Sequence, residues 1–154
     1  MHEELLEVFI TGALRYFRHT SDTEVKVGTP YIVNNSEPVV FDYVGLIDVT
    51  GSIQGCVYFS ATTDLLKSLL LSMGEDNTGE ENIIDVVGEV ANTISGNARG
   101  KLGSDFIISV PTVLQGAPKS INFPLEANAY VIPVFWQGYT AAVVICFEKE
   151  EGTI

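Results

Sequence analysis

The chain has 154 residues, 46% hydrophobic and 18% charged, which is the composition of one globular domain spanning residues 1–154. Eight basic residues stand against twenty acidic ones, so the formal net charge at pH 7 is −12. Nucleic acids and anionic membranes bind clustered Lys and Arg, so this balance argues against both as partners. The sequence starts without the pattern of a signal peptide and holds no apolar run long enough to span a membrane, which favours a cytoplasmic protein.

The cysteines and histidines of this chain do not suggest a disulfide, a metal site or a catalytic triad. Cys56 and Cys146 lie far apart, each inside an apolar run, so we expect reduced thiols rather than a disulfide framework or a CxxC site. His2 and His19 are too few for a zinc site or for a serine or cysteine triad. We therefore expect no metal in this chain, and any catalysis must use carboxylates, amides or hydroxyls.

The first half of the sequence predicts two helices around three strands. Gly51-Ser52 fits a two-residue hairpin turn, and Gly74 fits the C-terminal cap of the second helix. In chain order the predicted elements are an amphipathic helix, a short strand, the two hairpin strands and a leucine-rich helix: Glu3–Arg18, Pro30–Val33, Val40–Thr50, Ile53–Phe59 and Thr62–Met73.

The second half predicts a long helix followed by strands. Thr78 and Glu81 have the spacing of a capping box at its start, and Gly100 and Gly103 are stop signals at its end. Gln137-Gly138 is predicted as the turn of a second hairpin. The apolar stripe of the helix is Ile83, Ile84, Val87, Val90, Ala91, Ile94, Ala98 and Leu102; the strands are Phe106–Leu114, Ala127–Trp136 and Ala141–Phe147, before a charged tail at Glu148–Ile154.

The two halves show one pattern used twice, a helix, a short strand with a proline and a long hairpin. Pro30 corresponds to Pro111, although an accidental α/β rhythm is the competing interpretation because few residues are identical. Counting back from the two prolines places Glu7 near the position of Glu89. Ile10 then falls near the position of Asn92.

The long helix carries a polar face of small side chains. Residues three or four apart share a helix face, so Glu89, Asn92 and Gly96 line up. Each glycine inside a helix costs about 1 kcal/mol relative to alanine, so something must offset Gly88 and Gly96. Two explanations stay open: close packing of another element of the fold, slightly favoured, or close approach of a partner protein.

A carboxylate and an amide on one helical turn suit a reaction that depends on positioning. The carboxylate of Glu89 can hold an ammonium group, and the amide of Asn92 can orient a water molecule. Neither group is a strong nucleophile here. Phosphoryl transfer to water is a reaction that needs positioning more than covalent help.

The stretch Gly88–Arg99 resembles the Glu-x-x-Asn helix of the CheC/CheX/FliY family of chemotaxis phosphatases, and CheX-like members in particular. The hairpin Gly45–Phe59, the leucine-rich helix, the acidic connection at Gly74-Glu75 and the strand start at Val110–Val113 follow in the family's order. This resemblance covers roughly residues 40–115. It implies an α/β sandwich of two intertwined helix–strand–hairpin repeats with a largely antiparallel sheet.

The resemblance also implies a function, hydrolysis of the aspartyl phosphate of the response regulator CheY or a related receiver domain in two-component signalling. Asn92 would orient the attacking water, and Glu89 would hold a lysine of the partner. Mg²⁺ would belong to the partner, and this chain would form a homodimer with one site, since Ile10 stands near the place of a second Asn. Further partner contacts are expected at Gly88, Ser95, Gly96 and Arg99.

A second hypothesis belongs to a different class of protein. The chain would then be a non-catalytic adaptor that binds a receiver domain or a flagellar-switch protein. Binding that depends on phosphorylation without faster hydrolysis would favour the adaptor. The Glu89 and Asn92 pair favours the phosphatase.

Overall fold

The computed structural model describes residues 2–21, 23–33, 39–116 and 128–147. This part of the chain forms three helices and one eight-stranded sheet, a mixed α/β fold. The predicted tail at Glu148–Ile154 lies outside the described residues. The helices are α1 (His2–Thr20), α2 (Thr63–Ser72) and α3 (Glu80–Leu102). The strands are β1 (Val25–Val27), β2 (Tyr31–Val33), β3 (Tyr43–Gly51), β4 (Gly55–Ala61), β5 (Phe106–Ile108), β6 (Thr112–Gln115), β7 (Asn128–Trp136) and β8 (Tyr139–Phe147).

Every strand pairing of the sheet is antiparallel, as predicted. The strands follow the order β1-β7-β8-β4-β3-β5, with β2 also paired to β7 and β6 also paired to β3. The two long hairpins, β3-β4 and β7-β8, therefore meet in the middle of the sheet through β4 and β8. Among the helices of the described ranges, none is both long and apolar enough to cross a membrane.

The intertwined repeat is confirmed by the pairing of the short strands. Tyr31, next to the first proline, pairs with Val131 of the second hairpin, and Thr112, next to the second proline, pairs with Leu46 of the first hairpin. Each repeat thus lends its short strands to the hairpin of the other. This exchange places α1 and α3 on the same face of the sheet, where both contribute to one hydrophobic core.

Helices α1 and α3 pack against each other and run antiparallel. Gly12 of α1 lies against Ile94 and Asn97 in the middle of α3. Phe9, earlier on α1, has its ring 6.3 Å from the ring of Phe106, which follows the end of α3. The contact moves towards the C-terminal end of α3 as one goes from Gly12 back to Phe9 along α1. The C-terminal end of α1 therefore lies beside the N-terminal half of α3.

One glycine of the sheet permits the close approach of α3. A Cβ atom on Gly45 of β3 would lie 2.6 Å from the backbone oxygen of Val87 and 3.0 Å from the Cβ of Ala91. The first distance is too short for any side chain and the second is a tight contact, so α3 rests directly on the backbone of β3. The sequence showed this glycine inside a hairpin strand but gave no sign of its packing partner.

Two predicted local structures are wrong. The turn at Gly51-Ser52 is not a two-residue turn, because the last pair between β3 and β4 is Val49 with Gly55. Gly51 instead continues β3 past β4 and pairs with Phe106 of β5. The capping box is also absent, because α3 begins one residue later than expected and its N-cap, Gly79, has no side-chain hydrogen bond.

Other local predictions are confirmed. Gly74 has φ 84° and ends α2 with two backbone hydrogen bonds, from its own N–H to Leu71 and from Glu75 to Leu70. Gln137 and Gly138 both have positive φ and join β7 to β8 as the second hairpin turn. The region predicted as strand Phe106–Leu114 is divided into β5 and β6, and the short strand β1 was not predicted.

The two cysteines are free and buried, and the fold brings them together. Cys56 of β4 and Cys146 of β8 are directly opposed in neighbouring strands, on the sheet face that carries no helix. A side-chain hydrogen bond with Cys146, followed by burial, raises the pKa of the Cys56 thiol. A protonated, buried thiol is a poor nucleophile, which is consistent with a structural role for Cys56.

Candidate functional site

The candidate site is the exposed ridge of α3 that carries Glu89 and Asn92. Both side chains are exposed, as are Gly96 and Arg99 further along the helix. At 3.6 residues per turn these four positions share one side of the helix, turned away from the sheet. The helix also places acidic residues in its first turn and basic residues in its last, which matches the helix dipole.

Two other predicted site residues are not on the ridge. Gly88 and Ser95 are buried at its edge. They face the interior of the fold, whereas Gly96 and Arg99 are exposed, and their contact with a partner stays a prediction. The amphipathic pattern of α3 placed them beside the polar face, but the neighbouring element that covers them was not visible in the sequence.

That neighbouring element is the chain segment that leads into β6. A Cβ atom on Gly88 would lie 3.4 Å from a methyl carbon of Val113 and 3.6 Å from Pro111. Just before this contact, Val110 is 82% exposed. The ridge therefore has an apolar border on the side of Asn92, formed by a short loop between β5 and β6.

Helix α1 forms the other border of the ridge. Arg15 Nη1 donates a hydrogen bond to Asn97 Oδ1 over 3.2 Å and so joins the two helices. Tyr16 is nearly buried, and burial first and the charge of Glu89 second raise its pKa to about 12. Sequence reasoning missed both residues, since contacts between positions so far apart leave no spacing pattern.

The two explanations for the glycines of α3 can now be separated. At Gly88 an added Cβ would make ordinary van der Waals contacts, so packing does not require glycine there. At Gly96 an added Cβ would meet nothing within 4 Å. The fold itself therefore needs neither glycine, and close approach of another molecule is the explanation that stays open for the exposed Gly96.

The site has no metal ligands of its own among the described residues. No group of three or more His, Cys, Asp or Glu side chains in these ranges could hold a metal ion. Glu89 and Asn92 are one carboxylate and one amide on an open helical surface. Their arrangement can hold a cation and orient a water molecule, but it offers no nucleophile.

Similar solved structures define the class of protein to which this fold belongs. CheX from Desulfovibrio desulfuricans has a TM-score of 0.82 and 25% identity, over 94% of this chain and 99% of that chain. CheX from Vibrio vulnificus has a TM-score of 0.79 and 27% identity, over 94% of this chain and 99% of that chain. A CheX–CheY–BeF₃–Mg²⁺ complex from Borrelia burgdorferi shares the fold, with a TM-score of 0.78 and 19% identity over 94% of this chain and 97% of that one.

The family follows from the sequence itself. A family model described as chemotaxis phosphatase CheX matches residues 43–135, which include β3, α3 and most of β7. The chain therefore belongs to the chemotaxis phosphatase CheX family, as the resemblance implied. A comparison with curated protein sequences gives no match.

Proposed function

We propose that this protein hydrolyses the aspartyl phosphate of a CheY-type response regulator. The observation that carries the proposal is the α3 ridge, where Glu89 and Asn92 stand exposed one turn apart beside the open space at Gly96. The family is one of chemotaxis phosphatases, and its Borrelia burgdorferi relative was solved with CheY. The ridge has the form of a docking surface rather than a pocket for a small molecule.

Asn92 is the proposed catalytic residue. Its amide can accept a hydrogen bond from a water molecule with its oxygen and donate one with its nitrogen. A water molecule held in this way is directed at the phosphorus of a docked aspartyl phosphate. Catalysis then comes from positioning, which suits a loose phosphoryl-transfer transition state that needs little covalent help.

Glu89 is the proposed docking residue of the site. Its exposed carboxylate lies one helical turn before Asn92 and can pair with a lysine ammonium of the receiver. Such a pair fixes the distance between the receiver's phosphoryl group and the water on Asn92. A lysine pair that is shielded from water on docking is stronger than an exposed salt bridge.

Gly96 and Arg99 extend the docking surface along the helix. The missing side chain at Gly96 lets the backbone of a partner come close to α3. Arg99 is exposed one turn further and supplies a positive charge on a chain whose net charge is −12. The Mg²⁺ that receiver domains use would be bound by the partner, and this chain would act on the receiver without a cofactor of its own.

We also propose a homodimer, as the family resemblance implies. Strand β2 exposes Tyr31 and Ile32 at one border of the sheet, where a second copy can cover them. Light scattering at micromolar concentration should give twice the mass of one chain. A monomer mass would contradict this part of the proposal.

The decisive experiment follows the loss of phosphate from a phosphorylated CheY-type receiver, with and without this protein. We expect the wild type to accelerate the loss, and Asn92→Ala to reduce the rate by a factor on the order of 10² while the receiver still binds. Glu89→Ala should weaken both binding and hydrolysis. A wild-type protein that binds the phosphorylated receiver but does not accelerate hydrolysis would contradict the proposal and support the adaptor.

A further inference from the structure

The two cysteines of the chain are neighbours on the sheet face that carries no helix. Cys56 of β4 is the direct partner of Cys146 of β8 in the register of the two strands. Directly opposed residues of an antiparallel pair point to the same face, and both cysteines belong to one hydrophobic cluster. They lie far apart in the sequence, so the fold alone brings the two thiols together.

The spacing of such a pair suits a disulfide bond. Opposed residues of antiparallel strands have Cα atoms about 4.5 or about 5.5 Å apart, according to whether they exchange backbone hydrogen bonds. Both values fall in the range of about 4.4–6.8 Å that disulfide bonds span. The Cβ atoms, about 4.5–5.5 Å apart in opposed residues, must come slightly closer for the bond to form. We therefore expect a bond with some strain, which is easily reduced.

The place of the pair in the sheet permits this adjustment and gives access to it. The neighbouring pair is formed by Gly55, the first residue of β4, and Phe147, the last residue of β8. On its other side Cys56 pairs with Asp48 of β3, which is exposed, and Cys56 itself is 5% exposed. A small opening at the strand ends therefore admits an oxidant as small as hydrogen peroxide.

The two thiols differ in reactivity. Their mutual hydrogen bond lowers the pKa of the Cys146 thiol, against the effect of burial. The same hydrogen bond, followed by burial, raises the pKa of the Cys56 thiol. Because the thiolate is the form that reacts with a peroxide, Cys146 reacts first and Cys56 supplies the second thiol. A second thiol beside the first favours a reversible disulfide over irreversible oxidation.

We propose that Cys56 and Cys146 form a reversible disulfide bond when the protein is exposed to a peroxide. Cys146 Sγ first attacks one oxygen of hydrogen peroxide; the O–O bond breaks, and a sulfenic acid and one water molecule form. Cys56 Sγ then attacks the sulfenic sulfur, so the S–S bond forms and the S–O bond breaks. The Cys56 proton leaves with the hydroxyl group as a second water molecule. The two thiols are oxidised, the peroxide is reduced, and a thiol reductant reverses the bond by exchange.

The bond joins the two repeats in the middle of the sheet. Strand β4 belongs to the first hairpin and β8 to the second, and the two hairpins meet through these strands. A cross-link between residues so far apart in the chain restricts the unfolded state, so the oxidised protein is expected to be more stable. The cysteines lie on the face opposite the α3 ridge, and this inference does not depend on the proposed function.

The first test counts thiols in the wild-type protein. The folded protein is treated with hydrogen peroxide, unfolded, and titrated with a thiol reagent before and after reduction with dithiothreitol. Both thiols should disappear and both should return. A tryptic digest without reduction should contain the peptides 27–67 and 120–149 joined by a disulfide bond.

Three results of this test would overturn the inference. The thiols of the folded protein could stay unchanged at a peroxide concentration that oxidises them in the urea-unfolded protein. They could be lost without recovery by dithiothreitol, or they could link two chains instead of one. Each of these results would leave the cysteines as ordinary residues of the core.

The second test measures the effect of the bond on stability. The urea midpoint of the wild type should rise after oxidation and fall back after reduction. Cys146→Ala is the matched control, since it meets the same peroxide with the same methionines but cannot form the bond, and it should show no rise. An unchanged or lower midpoint for the oxidised wild type, or an equal rise in Cys146→Ala, would refute the proposed link between the hairpins.

Discussion

Helices α1 and α3 occupy equivalent places in the two repeats, yet only α3 carries the candidate site. Several buried positions of the two helices coincide under one constant shift, which matches Phe9 with Ala91 and Tyr16 with Ala98, whereas the buried Phe17 falls on the exposed Arg99. Under the same shift an exposed Glu7 stands in the place of Glu89. The helix packing that supports the site is therefore present in both repeats. An exposed carboxylate at this position is not enough to form a site.

The two helices differ one and two turns after the positions of Glu7 and Glu89. Asn92 of α3 corresponds to Ile10 of α1, which is half-buried and packs against the core. Gly96 corresponds to Leu14, also half-buried against the core. Helix α1 thus lacks both the amide proposed to orient water and the open space found at Gly96.

The sheet beneath the two helices differs as well. Gly45 of β3 pairs with Val113, and the equivalent pair of the other repeat is Tyr130 of β7 with Ile32. A glycine lies under α3 where a tyrosine occupies the matching strand position near α1. The close seat of α3 on β3 holds the ridge in one position, which is what a reaction that depends on positioning requires.

The largest expected effect is on stability, through the close packing of α3 against β3. Gly45→Ala would place a Cβ atom 2.6 Å from the backbone oxygen of Val87. Because α3 must shift to avoid it, we expect the free energy of unfolding to fall by about 3 kcal/mol, measured by urea denaturation. Gly88→Ala is the matched control, since its Cβ makes ordinary contacts and should raise the free energy of unfolding by up to about 1 kcal/mol. Equal stability of the two variants would mean that α3 is not seated closely on β3.

The second effect tests the two glutamates. Glu89→Ala should lower the affinity for an activated CheY-type receiver at least about tenfold, because a lysine of the docked receiver loses its counter-charge. Glu7→Ala removes the same charge from the equivalent position of α1 and should leave the affinity unchanged. Titration calorimetry of the two variants measures both constants. An equal loss in both would point to the net charge of the chain rather than to one carboxylate.

The sequence allowed the helices, the repeat and the polar ridge to be predicted because each depends on local spacing. Apolar periodicity defined α1 and α3, and the glycines at Gly74 and Gly138 marked turns where positive φ is required. The hairpin turn at Gly51 was predicted too short because its strand continues to pair with Phe106, more than fifty positions later in the chain.

The candidate site was predicted only in part for the same reason. Glu89 and Asn92 share a helix face by spacing, and that face is exposed. The borders of the ridge depend on which elements pack beside α3. Pro111 covers Gly88 on one side, and Arg15 bonds to Asn97 on the other, and both contacts arise from the fold rather than from any local pattern.

The third effect sharpens the contrast at the open position of the ridge. Gly96→Ala should raise the free energy of unfolding by up to about 1 kcal/mol, because alanine is the better helix former and its Cβ meets nothing. The same methyl group should reduce the affinity for the receiver about fivefold by obstructing its approach. Gly100→Ala, also in open space, serves as control with the gain in stability but little loss of binding. Undiminished affinity for Gly96→Ala would show that the partner does not approach there.

The smallest expected effect is a change that restores one missing group to α1. Asn92→Ala should abolish most of the hydrolysis, so any activity recovered on adding Ile10→Asn must come from α1. We expect no recovery, because Leu14 still occupies the position of the open glycine and would keep a receiver away from the new amide. The rate of phosphate loss from the receiver, compared between the single and the double variant, measures this directly. Recovered hydrolysis in the double variant would show that the amide alone separates the two helices, and that the space at Gly96 is not needed for docking.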